Sequence, residues 1–322
     1  MKIVFHNNAL QERGVTVSVY QYAHYCETLL GHEPIIVYNS TYENLPSVVK
    51  KFEDRFSVHS YSDLNDLYRL CDKLNIDYFY AQKYGNNDGV MSPIGKNLIH
   101  SVFARDPKDV HGDVYAFISE WMSQQTQYRI PYVPYINDLP QHDLNYRKQL
   151  GIPSDALVIG RHGGYETFNI PFVVDTVKKV LNKRPDIWFV FLNTEKTIDH
   201  ERCIYLKTII DDREKVQFIN TCDAMLHARD YGETFGLSVL EFASLNKQII
   251  SYDDINLQTS HPLGGRNHFL YLGDSCFKYS NEQQLGYLLM HLTRKNPFDT
   301  TYLRDKFSPE NVMSLFNKVF LS

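Results

Sequence analysis

Two carboxylates eight residues apart, Glu233 and Glu241, stand in the segment Gly232-Glu233-Thr234-Phe235-Gly236-Leu237-Ser238-Val239-Leu240-Glu241, a glycine-framed turn that runs into an apolar helix. The strand-like run Ala224-Met225-Leu226-His227 precedes it, so the order is strand, loop, helix, in which the loop and the first helical turn carry the chemistry. The free N–H groups of that turn suit a diphosphate. On a helix, eight residues rise roughly 12 Å and turn about 80° beyond two full turns, so the carboxylates fall on neighbouring faces at opposite ends of a small ligand. That separation suits a sugar joined through a diphosphate to a ribose. A carboxylate at the mouth of the turn, Glu233, can accept hydrogen bonds from ring hydroxyls; the plainer alternative is a first-turn acid favoured by the helix dipole. Just upstream, Arg229 and His227 could add positive charge, or Arg229 could pair with Asp230 at the surface.

The stretch E-T-F-G-L-S-V-L-E from Glu233 to Glu241 resembles the E-x7-E signature of retaining glycosyltransferases with the two-Rossmann-domain (GT-B) architecture, most of all glycosyltransferase family 4, whose usual form is E-G-F-G-L followed by a second Glu. The continuation Phe242 to Ser251 resembles the family's A-x-G-x-P-V-I-x-S, with Asn246 and Gln248 where Gly and Pro are commoner. Weaker likenesses are Val133-Pro134-Tyr135-Ile136-Asn137-Asp138 to the V-I-P-N-G-V-D linker and Gly160-Arg161 to the G-R loop. The resemblance implies that Glu233 and Arg161 serve catalysis, Arg161 by holding the diphosphate; His100, at the end of a strand, is read as a third catalytic candidate facing the sugar or acceptor, with a structural histidine as the plainer alternative. The resemblance further implies that Glu241 takes the ribose hydroxyls and that Thr234, Phe235, Gly236, Leu237, Arg229, Gly14, His162 and Gly163 form the rest of the donor site. One departure stands out: the family's Lys after the G-R loop is missing, and His162 to Pro171 holds no cation other than His162.

The elements around these residues alternate. Lys2 to Phe5, a polar loop through Gly14, a helix from Val17 to Leu30, Gly31 and the run Ile35 to Tyr38 read as a βαβ opening, with Gly31 at a left-handed cap. Further candidates are a helix from Leu64 to Leu74 and strands near Tyr78 to Ala81, Asn97 to His100 and Val114 to Ile118, a pattern that predicts a parallel sheet covered by helices. Pro131, Pro134 and Pro140 break the next stretch, where the linker is expected. The pattern restarts with Ala156 to Gly160 as a strand and Ile170 to Leu181 as a helix with Pro171 in its first turn. Strands Trp188 to Leu192, Cys203 to Leu206, Ala224 to His227 and Gln248 to Tyr252 follow. The expected division is 1–135 as an acceptor-side Rossmann-like domain, 136–306 as the donor domain, and 307–322 as a C-terminal helix. The GT-B resemblance has the two α/β domains facing across a cleft and the tail crossing back to the first.

Composition sets the outer bounds. The chain has 322 residues, 43% hydrophobic and 14% aromatic, enough for two domains with cores. A net charge of −5 argues against a general nucleic-acid binder. Five cysteines without a C-x-x-C pair fit free thiols in a reducing compartment, and with no signal-peptide pattern the expected location is cytoplasmic. No apolar run is long enough to span a bilayer, while peripheral membrane contact stays open. No D-x-D triplet, H-E-x-x-H or paired-Cys spacing occurs, so neither a metal nor another cofactor is expected; G-x-G-x-x-G, G-x-S-x-G and Walker loops are absent too. The resulting expectation is a metal-independent glycosyltransferase, hexosyl or pentosyl, moving a sugar from a nucleotide-diphosphate donor to a hydroxyl on a glycan, glycolipid or glycoprotein, with retention. A nucleotide-sugar epimerase on the same scaffold and a non-catalytic sugar- or nucleotide-binding scaffold protein are the rivals.

Overall fold

The computed structural model describes every residue, Met1 to Ser322. The chain divides into two compact units, one of Met1–Ile136 with Lys306–Ser322, the other of Asn137–Asp305.

The first unit runs β1 (Lys2–Asn7), α1 (Gly14–Thr28), β2 (Glu33–Asn39), α2 (Pro46–Glu53), β3 (Ser57–Tyr61), α3 (Leu64–Leu74), β4 (Tyr78–Lys83), β5 (Lys96–Ser101), β6 (Val114–Phe117) and α4 (Glu120–Gln125). Its six strands are all parallel, in the order β3-β2-β1-β4-β5-β6. A parallel sheet covered on both faces needs near-continuous apolar runs, which Ile3 to Phe5 of β1, Ile35 to Val37 of β2 and Tyr78 to Ala81 of β4 supply. The edge strand β3, Ser-Val-His-Ser-Tyr, is mostly part-exposed and carries no such run, so neither it nor the preceding α2 was legible beforehand. Helix starts follow their side chains: Asp63 accepts from the Asp66 N–H and Ser119 from the Met122 N–H.

The second unit begins with β7 (Leu157–His162), α5 (Pro171–Lys183), β8 (Ile187–Leu192), β9 (Cys203–Leu206), α6 (Asp212–Thr221), β10 (Ala224–His227), β11 (Gly232–Glu233), α7 (Leu237–Ser244) and β12 (Gln248–Tyr252). It continues through α8 (Ile255–Ser260), β13 (Gly265–Arg266), α9 (Asn267–Leu272), β14 (Phe277–Tyr279), α10 (Glu282–His291) and α11 (Leu303–Lys306). The main sheet is again parallel, ordered β14-β12-β10-β7-β8-β9, and the two-residue strands β11 and β13 pair separately. Its core joins Ile159, Phe189, Phe191 and Leu226 of the sheet to Val173 and Val177 of α5 and Leu285 and Leu289 of α10. Each such side chain contributes roughly 1.5–3 kcal/mol by burial.

The tail forms α12 (Pro309–Phe316), started by the Ser308 hydroxyl, which accepts from the Asn311 N–H. Phe316 and Phe320 pack into the first unit, their rings 5.2 Å from Tyr22 and 5.6 Å from Tyr80. The tail thus completes the core of the unit at the opposite end of the chain.

Candidate functional site

In both sheets the strand order reverses next to the first strand of the unit, between β1 and β4 and between β10 and β7. Open α/β sheets bind ligands outside the carboxyl ends of the strands at such a reversal. In the second unit the residues at those ends are Arg161 and His162 on β7 and His227 on β10, and the β10–α7 loop brings Glu233 to the same place.

The loop is braced rather than loose. A Cβ on Gly265 would lie 2.5 Å from the Glu233 carbonyl, so the β11–β13 approach requires glycine there. Gly236 precedes α7 at φ +89°, a left-handed conformation that L side chains resist. The Tyr271 hydroxyl donates to the Gly236 carbonyl at 2.8 Å and the Asn267 amide to the Phe235 carbonyl at 3.2 Å. Thr234 and Phe235 are buried and Leu237 is half-buried, so the first two anchor the loop. No side chain caps the α7 N-terminus.

Glu233 keeps 16% of its side chain exposed and holds two partners: His227 Nε2 lies 3.1 Å from Oε1 and Arg229 Nη1 donates to Oε2 at 2.6 Å. Burial pushes its carboxyl up, but Arg229 and His227 outweigh this and hold it down at about 2. Glu233 is therefore an ionised acceptor at neutral pH. Arg229 pairs with Glu233 and lies 4.4 Å from the Tyr231 ring centre; Asp230 instead accepts from the Asn169 amide.

Glu241, on the second turn of α7, is buried. Lys215 Nζ of α6 donates to its Oε1 at 2.9 Å and also reaches Asp212 at 3.0 Å. His162 Nδ1 stands 3.5 Å from Oε2, too far for a good hydrogen bond, and neither of those two atoms has another partner. Burial again works against the charge and Lys215, then His162, overcome it, so the Glu241 carboxyl lies at about 2. Lys215 was not foreseen, because on the sequence it is one charge among several on a polar helix. It supplies a buried cation beside Glu241.

Two expectations need correction. Arg161 was read as a diphosphate holder, yet it is 3% exposed. Its Nη1 donates to the Asn193 carbonyl and the Thr194 hydroxyl, both at 2.6 Å, and its Nη2 to the Gly164 carbonyl at 2.7 Å and the Thr167 hydroxyl at 2.5 Å. Both terminal nitrogens are spent tying two loops together, with Gly163 lying against the guanidinium. His100 was read as facing the sugar or acceptor and is instead a core residue of the first unit, fully buried. Its Nδ1 meets the Tyr80 hydroxyl at 2.7 Å, and its Nε2 lies 3.1 and 3.0 Å from the carbonyls of Phe117 and Val133. Gly14 is the exposed first residue of α1, in the first unit.

All five cysteines are free and buried, no group of His, Cys, Asp and Glu converges as a metal site, and no helix is long and apolar enough to cross a membrane.

No family model matches the sequence, and no curated protein matches it. Solved structures do match. Anabaena HepE, determined with UDP and glucose and with UDP-glucose, superposes with a TM-score of 0.70 at 12% identity over 99% of this chain and 98% of its own. A glycosyltransferase from Rickettsia africae gives 0.67 at 13% identity over 99% and 98%. WaaG, a glycosyltransferase involved in lipopolysaccharide biosynthesis, gives 0.65 at 8% over 98% and 99%. With two parallel doubly wound sheets and matches spanning nearly the whole chain, this protein has the GT-B glycosyltransferase fold.

Proposed function

We propose that this protein is a metal-independent, retaining glycosyltransferase akin to family 4, moving a hexosyl or pentosyl group from a nucleotide-diphosphate sugar to a carbohydrate-type hydroxyl acceptor in the cytoplasm. The observation that carries the reading is the convergence of Glu233, Glu241 and His162 at the strand-order reversal of the second sheet, beside the uncapped start of α7. Glu233, ionised and part-exposed, accepts from sugar hydroxyls. Glu241 offers its unpartnered Oε2 to the ribose, and the α7 N–H groups take the diphosphate. Catalysis is then electrostatic: oriented N–H groups and nearby cations stabilise the departing diphosphate, and no enzymic nucleophile is invoked. HepE, solved with UDP and UDP-glucose, makes uracil the first base to try.

Calorimetry with UDP, GDP, ADP and their common sugar conjugates in EDTA, on wild type and Glu241→Ala, tests this. Micromolar binding of one nucleotide, weakened by the substitution, is the expected result. Binding of none removes the donor site. Product analysis with a bound donor then separates transfer from epimerisation.

A further inference from the structure

Behind Glu233 the hydrogen bonding continues inward through three side chains from three elements. His227 Nδ1 lies 3.0 Å from Ser251 Oγ, and Ser251 Oγ lies 3.2 Å from His268 Nε2. His227 is 5% exposed, and Ser251 and His268 are fully buried. We propose that Ser251 and His268 form a one-way relay that keeps His227 in its Nε2–H tautomer, making His227 a positioning residue for the Glu233 carboxylate. The proposal rests on the donor-site reading above for its functional consequence, though not for its geometry.

The direction follows from donor and acceptor counting. An ionised carboxylate only accepts, so His227 Nε2 must be the donor to Glu233 Oε1. In a neutral imidazole Nδ1 is then an acceptor, and the one group within reach is the Ser251 hydroxyl, which must donate to it. The Tyr252 carbonyl, 3.5 Å from Ser251 Oγ, is the longer and weaker acceptor for that hydroxyl proton; a lone pair of Ser251 Oγ takes the His268 Nε2–H, which leaves His268 Nδ1 bare. That atom is buried without a partner, and burial, with His227 adding to it, holds the His268 ring well below the ordinary imidazole range. The reverse order would need an imidazolium at His227 and a buried Nδ1–H on His268 with nothing to accept it, which is the costlier state. The charged groups around the pair are Arg229 and Glu233 on the loop and Arg266 on β13. The relay matters because the other His227 tautomer would turn a bare nitrogen toward the carboxylate and swing Glu233 away.

Two measurements decide it. Side-chain ¹⁵N spectra of histidine-labelled protein, with His227→Gln for assignment, report the tautomer directly; Nε2–H at neutral pH is expected, and Nδ1–H in wild type overturns the proposal. In Ser251→Ala the Nδ1 acceptor loses its donor, so UDP-glucose affinity drops about tenfold, and Ser251→Thr restores it. Unchanged affinity in Ser251→Ala, where Glu233→Ala abolishes binding, also overturns the proposal. If wild type does not bind UDP-glucose, the donor reading loses its first probe, and the tautomer measurement alone judges the relay.

Discussion

Replacing Lys215 by methionine removes one half of a buried ion pair while keeping most of its volume. In the folded protein Glu241 and Lys215 expose only 4% and 7% of their side chains. Without the lysine, the carboxylate stays in a desolvated place with His162 Nδ1 at 3.5 Å as its nearest polar neighbour. Two routes give the magnitude. Removing one partner of a buried pair costs about 3–5 kcal/mol. Holding the Glu241 carboxyl at about 2 rather than 4.5 corresponds to about 3 kcal/mol. The sign is that of a carboxyl whose folded value is depressed: the stabilisation is complete above about pH 4.5 and is lost as pH falls toward 2. In the variant the unpaired carboxyl moves above 4.5 instead, so the gap to wild type is widest at neutral pH and closes on acidification. Urea unfolding in a Trp121→Phe background, with Trp188 of β8 as the reporter of the second unit, reads this out. The expected loss at pH 7 is about 3 kcal/mol or more, and Glu241→Gln added to Lys215→Met recovers a substantial part of it, since no buried charge is then left alone. A loss under about 1 kcal/mol, or a double variant as unstable as the two single losses added together, refutes the reasoning.

Arg161→Lys loses the fork that serves four acceptors, so it destabilises the second unit by about 2–4 kcal/mol in the same assay; full stability with lost turnover would return Arg161 to the ligand. Gly265→Ala forces β13 off the Glu233 carbonyl and weakens nucleotide-sugar binding at least tenfold while the far-ultraviolet circular dichroism is kept; calorimetry checks it. His100→Phe leaves donor binding unchanged and costs the first unit about 1–3 kcal/mol, because two carbonyls and the Tyr80 hydroxyl lose their partner. Burial holds His6 at about 3 and His100 at about 4, so the unfolded chain binds protons first; stability of the first unit is full above pH 6.5 and falls as pH drops through 6.5 toward 4, which a urea series over pH 4–8 measures.

Much of the framework was legible along the chain. Parallel strands in the middle of a sheet announce themselves as apolar runs, which is why Tyr78 to Ala81 and Gln248 to Tyr252 stood out, while the part-exposed edge strand Ser57–Tyr61 did not. Local signals at helix ends were equally readable: Pro171 opens α5, and Gly31 sits at φ +69°. The Glu233 to Glu241 segment was visible for the same reason, since a glycine-framed turn and an eight-residue spacing are local properties.

Partnership is not local. Arg161 next to a strand-end glycine looks the same on paper whether its guanidinium faces a ligand or binds the carbonyls of residues 164 and 193; the turn of the Asn193 and Thr194 backbone decides that. His100 ends a strand, as many site residues do, and only the packing of Tyr80 and of the carbonyls at 117 and 133 makes it core. Lys215 lies 26 residues from Glu241, Ser251 24 from His227 and His268 17 from Ser251, and none carries a motif; they meet because α6, β12 and α9 converge on the strand-order reversal. The sequence by itself determined the element types, the two-sheet plan and the acidic loop-helix segment, since these follow from residue-by-residue conformational preference and apolar periodicity. Tertiary structure alone decided which charges neutralise one another, because an ion pair or a hydrogen bond depends on distances of about 3 Å between elements that only the assembled fold brings together.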